Sequence, residues 1–381
     1  MGKFRIAAVF THPIQYTAPF LRRAAAHPEI ELSVFYLSRH GVEEAIDPGF
    51  QRVFKWDIPL LSGYKYEFLE SPVLQLSRRL KKENFEFVWL ADYARWESWM
   101  VWAIALARGI AVLLRGDSNL LEKRSLLRRL AKRPAVKLFL KGVAGVLFVG
   151  TCNRKFYEAF NFPPERMFFG PHTVDNEYFY ALAAELFPRR KEIRKELGLP
   201  GEQPIILFAG KLVPKKRPES ILRAFRDIRK ELDCSLVFAG DGPLRVQLER
   251  VVTQENIPDV HFLGFLNQSK IPKAFVVGDL FVLPSGWDET WGLAINEAMN
   301  FSLPVIVTDK VAAAYDLVRS GENGFVVPFD DETALRESLA KMIADAKMRG
   351  RFGKKSLEII KDWSFDALLK GLLAACQALR P

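Results

Sequence analysis

Residues 204–210 read PIILFAG, a short apolar run that ends in alanine and glycine. An uninterrupted apolar run of this length is typical of a strand buried on both faces of a parallel sheet. Five similar runs follow: SLVFAG at 235–240, VHFLGF at 260–265, DLFVLPS at 279–285, LPVIVT at 303–308 and GFVVP at 324–328. Longer polar or amphipathic segments separate them. This half of the chain therefore predicts alternating strands and helices around a parallel sheet.

The same alternation occurs upstream. Its apolar runs are FRIAAVF at 4–10, ELSVFYL at 31–37, EFVWLAD at 86–92, IAVLLRG at 110–116 and GVLFVG at 145–150. A chain of 381 residues also exceeds what one hydrophobic core usually supports. The sequence therefore predicts an α/β protein with two doubly wound, Rossmann-like domains.

We expect an N-terminal domain over residues 1–185, a C-terminal domain over 186–360, and a last helix over 361–381 that returns to the first domain. The prolines between residues 171 and 204 favour a connector in this region. Ligands of doubly wound sheets bind beyond the carboxyl ends of the strands. We therefore expect the two domains to face each other across a cleft that holds the active site.

Composition excludes several classes of protein. No stretch has the roughly 18 uninterrupted apolar residues that a membrane span needs. The three cysteines, Cys152, Cys234 and Cys376, are too far apart for a zinc motif or a disulfide framework. The N-terminus lacks the features of a signal peptide. These observations favour a cytoplasmic protein.

Positive charge is concentrated in the first half of the chain. Residues 123–141 contain eight Lys or Arg residues and no acid, interleaved with leucines and a phenylalanine, and Pro134 is expected to interrupt this pattern. A solvated helix packed on its own domain is one interpretation. An anionic surface at the inner face of the membrane, or a lipid-linked substrate, is another. Binding to nucleic acid is the weakest, because few aromatic residues occur there, and we expect no nucleic-acid partner.

The stretch 284–299, PSGWDETWGLAINEAM, places two acids around the expected start of a helix near Gly292. A helix start offers unpaired N–H groups to a phosphate or a sugar oxygen. Glu289 and Glu297 are suited to bind hydroxyl groups, because ionised carboxylates accept hydrogen bonds. The alternative is that Glu289 caps the helix and Glu297 is a surface acid.

A second cluster, AGKLVPKKRP at 209–218, follows the strand quoted first. Lys211, Lys215, Lys216 and Arg217 repel one another at this spacing, so an anionic ligand would stabilise them. A solvated loop is the alternative. No G-x-G-x-x-G fingerprint and no P-loop occurs in the sequence, which disfavours a dehydrogenase or a P-loop enzyme.

AGKLVPKKRPE, FAGDGPL, VHFLGFL and PSGWDETWGLAINEAM, in this order, resemble the successive motifs of glycosyltransferase family 4. GPHTVDNEYF at 170–179 is similar to the family's linker segment. The resemblance implies a GT-B fold and a retaining transferase, of hexosyltransferase type, that uses a UDP-, GDP- or ADP-type sugar as donor. It also implies surface polysaccharide or glycolipid assembly, with a glycan or lipid-linked acceptor.

The resemblance also implies roles for single residues. Glu289 would bind hydroxyl groups of the donor sugar, and Glu297 would bind the ribose hydroxyls of the nucleotide. Lys216 stands where the family keeps a diphosphate-binding lysine. Lys211 replaces an arginine, which keeps the charge but loses the bidentate guanidinium.

For the other donor-side residues, the resemblance implies contacts with the donor that are made mainly by the backbone. Gly210 would permit close approach of the ligand, and Trp291, Gly292 and Leu293 would line the sugar and phosphates. Phe265 would lie near the base of the nucleotide.

The first half matches the family less closely. THPIQYTAPFLRR resembles a bacterial subgroup that begins with His-Pro-Ile-Gln-Tyr, and LLRGDSN resembles a second motif of that subgroup. Acceptor-side residues are expected at the strand ends, and each alone has a structural alternative: His12, Gln15, Asp92, Tyr93, Arg115 and Asp117. His12 is also a candidate catalytic residue, together with Lys216 and Glu289.

The expected chemistry is stabilisation of the departing diphosphate by lysines. The chain has no Asp-x-Asp motif, so we expect neither a metal nor another cofactor. Two alternatives stay open at this point: a sugar-nucleotide epimerase or hydrolase of similar architecture, and a non-catalytic carbohydrate-binding protein.

Overall fold

The structure of the protein is a computed structural model. It describes residues 2–47, 49, 52–121 and 126–380. The chain divides into two compact units. The first unit contains the residues up to Ala45, Ile58–Thr173 and the residues from Trp363 onward. The second unit contains Ile46–Asp57 and Val174–Asp362.

The strands are β1 (Phe4–Phe10), β2 (Ile30–Tyr36), β3 (Ala45–Asp47), β4 (Arg52–Phe54), β5 (Lys65–Phe68), β6 (Phe87–Leu90), β7 (Ala111–Leu114), β8 (Gly145–Phe148), β9 (Met167–Phe169), β10 (Ile205–Ala209), β11 (Ser235–Ala239), β12 (Val260–Gly264), β13 (Leu280–Leu283), β14 (Val305–Thr308) and β15 (Gly324–Val327). The helices are α1 (Ala18–Ala26), α2 (Pro72–Lys82), α3 (Trp96–Leu106), α4 (Leu126–Lys141), α5 (Thr151–Ala159), α6 (Asn176–Leu186), α7 (Arg190–Glu196), α8 (Pro218–Ile228), α9 (Arg245–Gln254), α10 (Ile271–Val277), α11 (Ala294–Asn300), α12 (Ala314–Leu317), α13 (Glu332–Ala344), α14 (Ala346–Ile360) and α15 (Phe365–Ala378).

The second unit is built on a parallel sheet with the strand order β12-β11-β10-β13-β14-β15. The quoted run forms β10, and all five of its residues are buried. Such a strand needs apolar side chains on both faces, which explains why the run does not alternate with polar residues. The strand order reverses between β10 and β13. Because ligands of doubly wound sheets bind where the order reverses, we expect a ligand-binding site on the loops after these two strands.

The first unit has the same architecture. Its parallel sheet has the order β5-β2-β1-β6-β7-β8-β9, counted over the described residues. One buried core includes Leu76, Val101 and Phe139 on one face of the sheet, and a second core includes Phe20 and Leu372 on the other. Helices therefore cover both faces. The predicted fold class, with two doubly wound parallel sheets, is confirmed.

Helix α15 closes one face of the first sheet. Its residues Leu368, Leu372 and Cys376 recur at helical spacing and are buried against the sheet. At Gly371 a Cβ atom would lie 1.9 Å from the carbonyl oxygen of Phe169. Only glycine allows the helix to approach β9 this closely.

The units differ from the predicted domains in their boundary. The predicted boundary after residue 185 falls inside α6, and the structure divides the chain after Thr173 instead. The reason is that α6 packs within the second unit. Asn176 Nδ2 donates a hydrogen bond to the carbonyl oxygen of Ile360, and the ring of Phe179 lies 5.9 Å from that of Phe301.

The second difference is the segment of residues 46–57, which sequence reasoning assigned to the first domain. This 46–57 segment groups with the second unit. Lys211 Nζ donates to both carboxylate oxygens of Asp47, at 2.7 and 3.0 Å, and Ser269 donates to the Asp57 carboxylate through its backbone N–H at 3.1 Å. The pattern of apolar residues along the sequence does not predict polar contacts of this kind.

The predicted interruption at Pro134 is also wrong. Helix α4 continues through Pro134, and residues 122–125, which begin the basic stretch, lie outside the described part of the chain. Val136, Phe139 and Leu140 of this helix are buried in the core of the first unit. These three residues pack on their own domain, as one of the two interpretations expected.

Replacing Gly240 by alanine is expected to destabilise the second unit. A Cβ atom at this position would lie 1.8 Å from the carbonyl oxygen of Gly210, so the loops after β10 and β11 would have to separate. We expect a loss of about 3 kcal/mol in the free energy of unfolding, measured by urea denaturation.

Gly201→Ala is the matched control, because a Cβ atom there meets nothing within 4 Å. Its expected change is below about 0.5 kcal/mol. Wild-type stability in the Gly240 variant would contradict the close contact between these loops.

Candidate functional site

The candidate site lies on the loops that follow β10 and β13, where the strand order of the second sheet reverses. Lys216 Nζ, after β10, donates a hydrogen bond to Glu289 Oε2, after β13, at 2.7 Å. Ser285 Oγ donates to the same carboxylate oxygen at 3.1 Å. The side chains of Lys216 and Glu289 are only 14% and 10% exposed. The structure thus brings together two residues that are 73 positions apart in the sequence.

Glu289 is ionised at this place. Burial alone would raise the pKa of its carboxyl group, but the charge and hydrogen bond of Lys216, the charge of Lys215 and the hydrogen bond of Ser285 outweigh burial. The pKa of Glu289 is therefore lowered from its ordinary value of 4.5. The alternative expectation, that Glu289 caps a helix, is wrong, since the N-terminus of α11 has no side-chain cap.

Backbone contacts fix the two loops relative to each other. The N–H of Gly286 donates to the carbonyl oxygen of Lys215 at 2.8 Å, and Lys215 Nζ donates to the carbonyl oxygen of Asp288 at 3.2 Å. Thr308 Oγ1, at the end of β14, donates to the carbonyl oxygen of Ser285 at 2.5 Å. The position of Glu289 is therefore set by three strand ends together.

Helix α11 begins at Ala294, two residues after Gly292 and so near it, as expected. Glu297 lies in its first turn. Its side chain is half-buried, so it is not the exposed surface acid of the alternative expectation. Burial raises the pKa of Glu297 to about 7, against the lowering effects of a hydrogen bond with Gln268 and the charge of Lys216. A carboxyl group near its pKa at neutral pH changes charge readily when a ligand binds.

Lys211 follows Gly210 at the end of β10, as expected, but its partner is a residue that sequence reasoning missed. Asp47 is 7% exposed and binds Lys211 with both carboxylate oxygens. The sequence carried no signal for this pair beyond the two charges, because 164 residues separate them.

The remaining donor-side candidates lie on the same edge of the second sheet. Phe265 directly follows β12. Trp291 is buried, and its indole N–H donates to Asn296 Oδ1 at 2.9 Å. Gly292 has a φ of +99°, which L-residues rarely adopt, and Leu293 is the N-cap position of α11.

In the first unit, His12 and Gln15 follow β1. His12 Nδ1 lies 3.0 Å from Thr11 Oγ1, and its ring lies 5.1 Å from the ring of His40. Asp92 follows β6 and is engaged locally: its Oδ1 accepts hydrogen bonds from the N–H groups of residues 94 and 95 and from the hydroxyl of residue 98. This arrangement supports the structural alternative for Asp92.

Both the hydroxyl group and the ring of Tyr93 contact neighbouring side chains. Its hydroxyl lies 3.0 Å from Ser118 Oγ, and its ring is stacked at 6.2 Å on Phe156. Arg115, after β7, donates hydrogen bonds to the carbonyl oxygens of Gly170 and Pro171 at 3.2 and 2.7 Å. Arg115 therefore ties the end of β7 to the connection that follows β9.

Arg115, Asp117 and Tyr16 are half-buried, and they form an electrostatically linked cluster with His172, which is buried. Burial lowers the pKa of Arg115 to about 10, so the guanidinium stays charged at neutral pH. Burial, followed by the charge of Arg115, lowers the pKa of His172 to about 3, so its imidazole is neutral. Burial and Asp117 raise the pKa of Tyr16 to about 12.

Tyr16 and His172 were missed as candidates, although each stands in a stretch that carries the family resemblance. The ring of Tyr16 lies 5.8 Å from that of His172. The sequence feature that could have identified them as candidates is their position within His-Pro-Ile-Gln-Tyr and GPHTVDNEYF. Neither residue type nor spacing indicated that they would meet.

Among the described ranges, no helix has the length and apolar character that crossing a membrane requires. In the same ranges, no group of three His, Cys, Asp or Glu side chains is placed to hold a metal ion.

Solved structures with this architecture are glycosyltransferases of the GT-B type. A glycosyltransferase from Rickettsia africae has a TM-score of 0.78 at 14% identity, with 100% of both chains covered. Anabaena Alr3699/HepE in complex with UDP has a TM-score of 0.75 at 14% identity, covering 98% of this chain and 100% of that chain. At such identities the likeness establishes the fold, and the fold of this chain is GT-B.

Sequence comparison identifies the family of a domain in the second half of the chain. Residues 189–358 match the family model of the glycosyl transferases group 1. Alpha-D-kanosaminyltransferase of Streptomyces kanamyceticus is 31% identical over 175 residues, 45% of each chain. A GDP-mannose-dependent alpha-(1-6)-phosphatidylinositol monomannoside mannosyltransferase of Mycobacterium tuberculosis is 28% identical over 263 residues, 66% of this chain and 64% of that protein.

The chain spans about half the length of several of the curated relatives it matches. What these comparisons establish is that the chain carries a glycosyl transferases group 1 domain, and that this domain contains Lys211, Lys216, Glu289 and Glu297.

The raised pKa of Glu297 predicts that this residue reduces stability as the pH rises. Its folded-state pKa of about 7 lies above the ordinary value of 4.5, so the unfolded chain releases this proton at lower pH than the folded protein. The stability that the bound proton provides is complete below pH 4.5 and is lost as the pH rises to about 7, by about 3 kcal/mol in total.

The measurement is the free energy of unfolding of wild type and Glu297→Gln by urea denaturation, from about pH 4.5 to pH 8. Glutamine does not ionise, so the variant should gain stability relative to wild type across this interval. A difference between the two proteins that does not change with pH would contradict the raised pKa.

Proposed function

We propose that this protein is a retaining glycosyltransferase of family 4, in the subgroup that begins with His-Pro-Ile-Gln-Tyr. It transfers a sugar, of hexose type, from a nucleoside-diphosphate sugar to an acceptor hydroxyl. The observation that carries the proposal is the buried Lys216–Glu289 ion pair at the point of strand-order reversal, with Glu297 on the adjacent α11. A cation and acceptor oxygens at one place suit a ligand that combines phosphates with hydroxyl groups.

The reaction separates the sugar from a diphosphate, so negative charge develops on the leaving group. Lys216 and Lys211 follow the same strand and would stabilise that charge electrostatically. Glu289, which is ionised, would accept hydrogen bonds from hydroxyl groups of the donor sugar. Glu297 would accept those of the ribose. This division of roles requires no metal ion, because the lysines supply the positive charge.

The relatives support the class of donor and acceptor. The mycobacterial relative is named as GDP-mannose-dependent and as acting on a phosphatidylinositol monomannoside. The Anabaena structures contain UDP and UDP-glucose. Another structural relative, WaaG, is involved in lipopolysaccharide biosynthesis. We propose a UDP-, GDP- or ADP-type sugar as donor, with Phe265 near its base, and a glycan or lipid-linked acceptor in surface polysaccharide or glycolipid assembly.

On the acceptor side we propose His12, Gln15, Tyr93 and the half-buried cluster around Arg115. Because the imidazole of His172 is neutral and Arg115 is charged, this cluster offers both hydrogen-bond acceptors and a cation. His12 follows β1, the strand at which the order of the first sheet reverses, so it is placed where a ligand of that sheet would bind.

Two other functions fit parts of the same site. A sugar-nucleotide epimerase or hydrolase would use the same donor-binding residues, but it would turn over nucleotide sugar without an acceptor. A non-catalytic carbohydrate-binding protein could use Glu289 to accept hydrogen bonds from sugar hydroxyls, but it would release no nucleotide. Nucleotide release, measured with and without acceptor, distinguishes these functions from transfer.

Glu289→Gln and Lys216→Ala are expected to lower sugar transfer at least about 100-fold, because each removes a charge aimed at the donor. Transfer is measured with purified protein, a set of UDP-, GDP- and ADP-sugars and a membrane or glycan extract as acceptor, in the presence of EDTA. Binding of each nucleoside diphosphate is measured in parallel by thermal shift.

Lys215→Ala is the matched control, since Lys215 belongs to the same turn but is exposed, and its ammonium group donates to the carbonyl oxygen of Asp288 rather than to a carboxylate. It should retain most of the activity. Wild-type turnover by either site variant would refute the assignment of the site, and a strict need for added metal would refute the lysine-based chemistry.

We further propose that the first unit binds an anionic membrane surface through α4 and its neighbour α3. Lys132, Lys137 and Lys141 of α4 are exposed, and Trp99 of α3 lies 5.0 Å from Phe139 of α4. The outer face of α3 is apolar, and it exposes Trp96 by 63%. Exposed apolar side chains beside lysines suit a layer of anionic headgroups. This location corresponds to a cytoplasmic protein at the inner face of the membrane.

Trp96→Ser with Met100→Ser is expected to weaken binding to vesicles that contain phosphatidylglycerol about tenfold, because both side chains are exposed on α3. Lys132→Gln with Lys137→Gln should do the same and should also reduce the salt dependence of binding. Co-sedimentation with vesicles measures both effects.

Val246→Ser is the control, because Val246 is an equally exposed apolar residue in the second unit. If the α3 and α4 variants bind vesicles as the Val246 variant does, the membrane surface is not bound through these helices.

A further inference from the structure

Lys211 is held by an acidic residue that comes from a distant part of the chain. Lys211 Nζ donates hydrogen bonds to Asp47 Oδ1 and Oδ2 at 2.7 and 3.0 Å. Two of the three N–H donors of the ammonium group are thus directed at one carboxylate. The Asp47 side chain is 10% exposed and that of Lys211 is 36% exposed. The pair is therefore only partly screened by water.

The turn that carries Asp47 also covers the stem of Lys211. A Cβ atom at Gly49 would lie 2.6 Å from Lys211 Cδ, so the backbone at Gly49 packs directly on the lysine. The N–H of Gly49 donates to Asp47 Oδ1 at 2.8 Å and orients the carboxylate. Both the charged group and the aliphatic part of Lys211 are thus occupied.

The other end of the 46–57 segment is fixed near the end of β12. Ser269 donates to the Asp57 carboxylate, and Asn267 Nδ2 donates to the carbonyl oxygen of Lys55 at 2.7 Å. The segment therefore extends from the loop after β10 to the loop after β12. These two loops carry Lys211 and Phe265, which the proposed function assigns to the diphosphate and the base.

A diphosphate bound at Lys211 would meet the carboxylate of Asp47 at the same ammonium group. Two anions at this distance repel each other, and the ammonium cannot direct the same donors at both. One of them has to leave. Lys216 differs, because it donates to a single carboxylate oxygen, Glu289 Oε2.

We propose that Asp47 is an internal competitor of the donor's diphosphate: it occupies Lys211 in the empty protein, and donor binding displaces it. Asp47 thereby sets the affinity of the site for nucleoside diphosphates. The proposal rests on the proposed function for the place of the diphosphate at Lys211. The tie at Asp57 keeps the 46–57 segment beside the site when Asp47 is released.

Asp47→Asn separates the competing charge from the structure of the turn. Asparagine keeps an oxygen that accepts the hydrogen bond from Gly49, but it carries no charge. Removing this buried carboxylate from the partly exposed Lys211 should strengthen binding of a competing anion about five- to tenfold. A role of Asp47 in holding the donor would instead weaken binding.

The experiment titrates inorganic pyrophosphate, and separately UDP, GDP and ADP, into full-length protein by calorimetry. The variants are Asp47→Asn, Lys211→Met and the double variant. The matched control is Asp227→Asn on α8, which removes one negative charge from an exposed ion pair with Lys230. Thermal unfolding confirms that each variant is folded.

The expected result is tighter pyrophosphate binding by Asp47→Asn, no change in Asp227→Asn, and no effect of Asp47→Asn when Lys211 is methionine. Such coupling identifies competition at Lys211 rather than a general change of charge. Unchanged or weaker pyrophosphate binding by Asp47→Asn overturns the proposal, as does an equal gain in both backgrounds or the absence of pyrophosphate binding. If pyrophosphate binds as expected but no nucleoside diphosphate binds, the proposed function fails while the role of Asp47 stands.

Discussion

The ion pair between Lys216 and Glu289 is the contact on which the site of the second unit depends. It joins loops from β10 and β13, the two strands between which the order of the sheet reverses. Taking two charges out of water is unfavourable unless each is paired and hydrogen-bonded. Ser285 supplies one of the additional hydrogen bonds to Glu289, and Thr308 in turn holds Ser285. Separating the two charges without a replacement partner is therefore unfavourable. A ligand that offers equivalent charges and hydroxyl groups can supply such a replacement.

The two units bury charge in different ways. In the second unit each of the two central lysines faces a carboxylate, Asp47 or Glu289, so local charge is balanced without a ligand. In the first unit Arg115 is half-buried beside Asp117, and two backbone carbonyls accept its hydrogen bonds. The lysine pairs join side chain to side chain. Arg115 is fixed by backbone groups, which suits a residue that maintains the shape of its surroundings.

Much of the fold followed from the sequence because buried parallel strands have a simple pattern. Runs such as PIILFAG and FRIAAVF became β10 and β1, and the two-sheet architecture follows from their alternation with helices. The boundary near residue 174 and the 46–57 segment could not be predicted, because they depend on polar contacts such as Asp57 with Ser269. In the site, Lys216, Glu289 and Glu297 were identified through family motifs. Asp47, Tyr16 and His172 were not, because their partners are distant in sequence and residue type alone does not indicate them.

The grouping of residues 46–57 with the second unit has a consequence for how the protein is made. Neither unit is a continuous piece of chain, and the polypeptide passes from one unit to the other after residues 45, 57, 173 and 362. During synthesis, residues 46–57 leave the ribosome long before β10, on whose loop Asp47 finds its partner. One face of the first sheet also lacks α15 until residues 363–380 have been made. Apolar surface on β8 and β9, the strands that α15 contacts, is therefore exposed for most of translation, and such surface is prone to aggregate until the helix has been made.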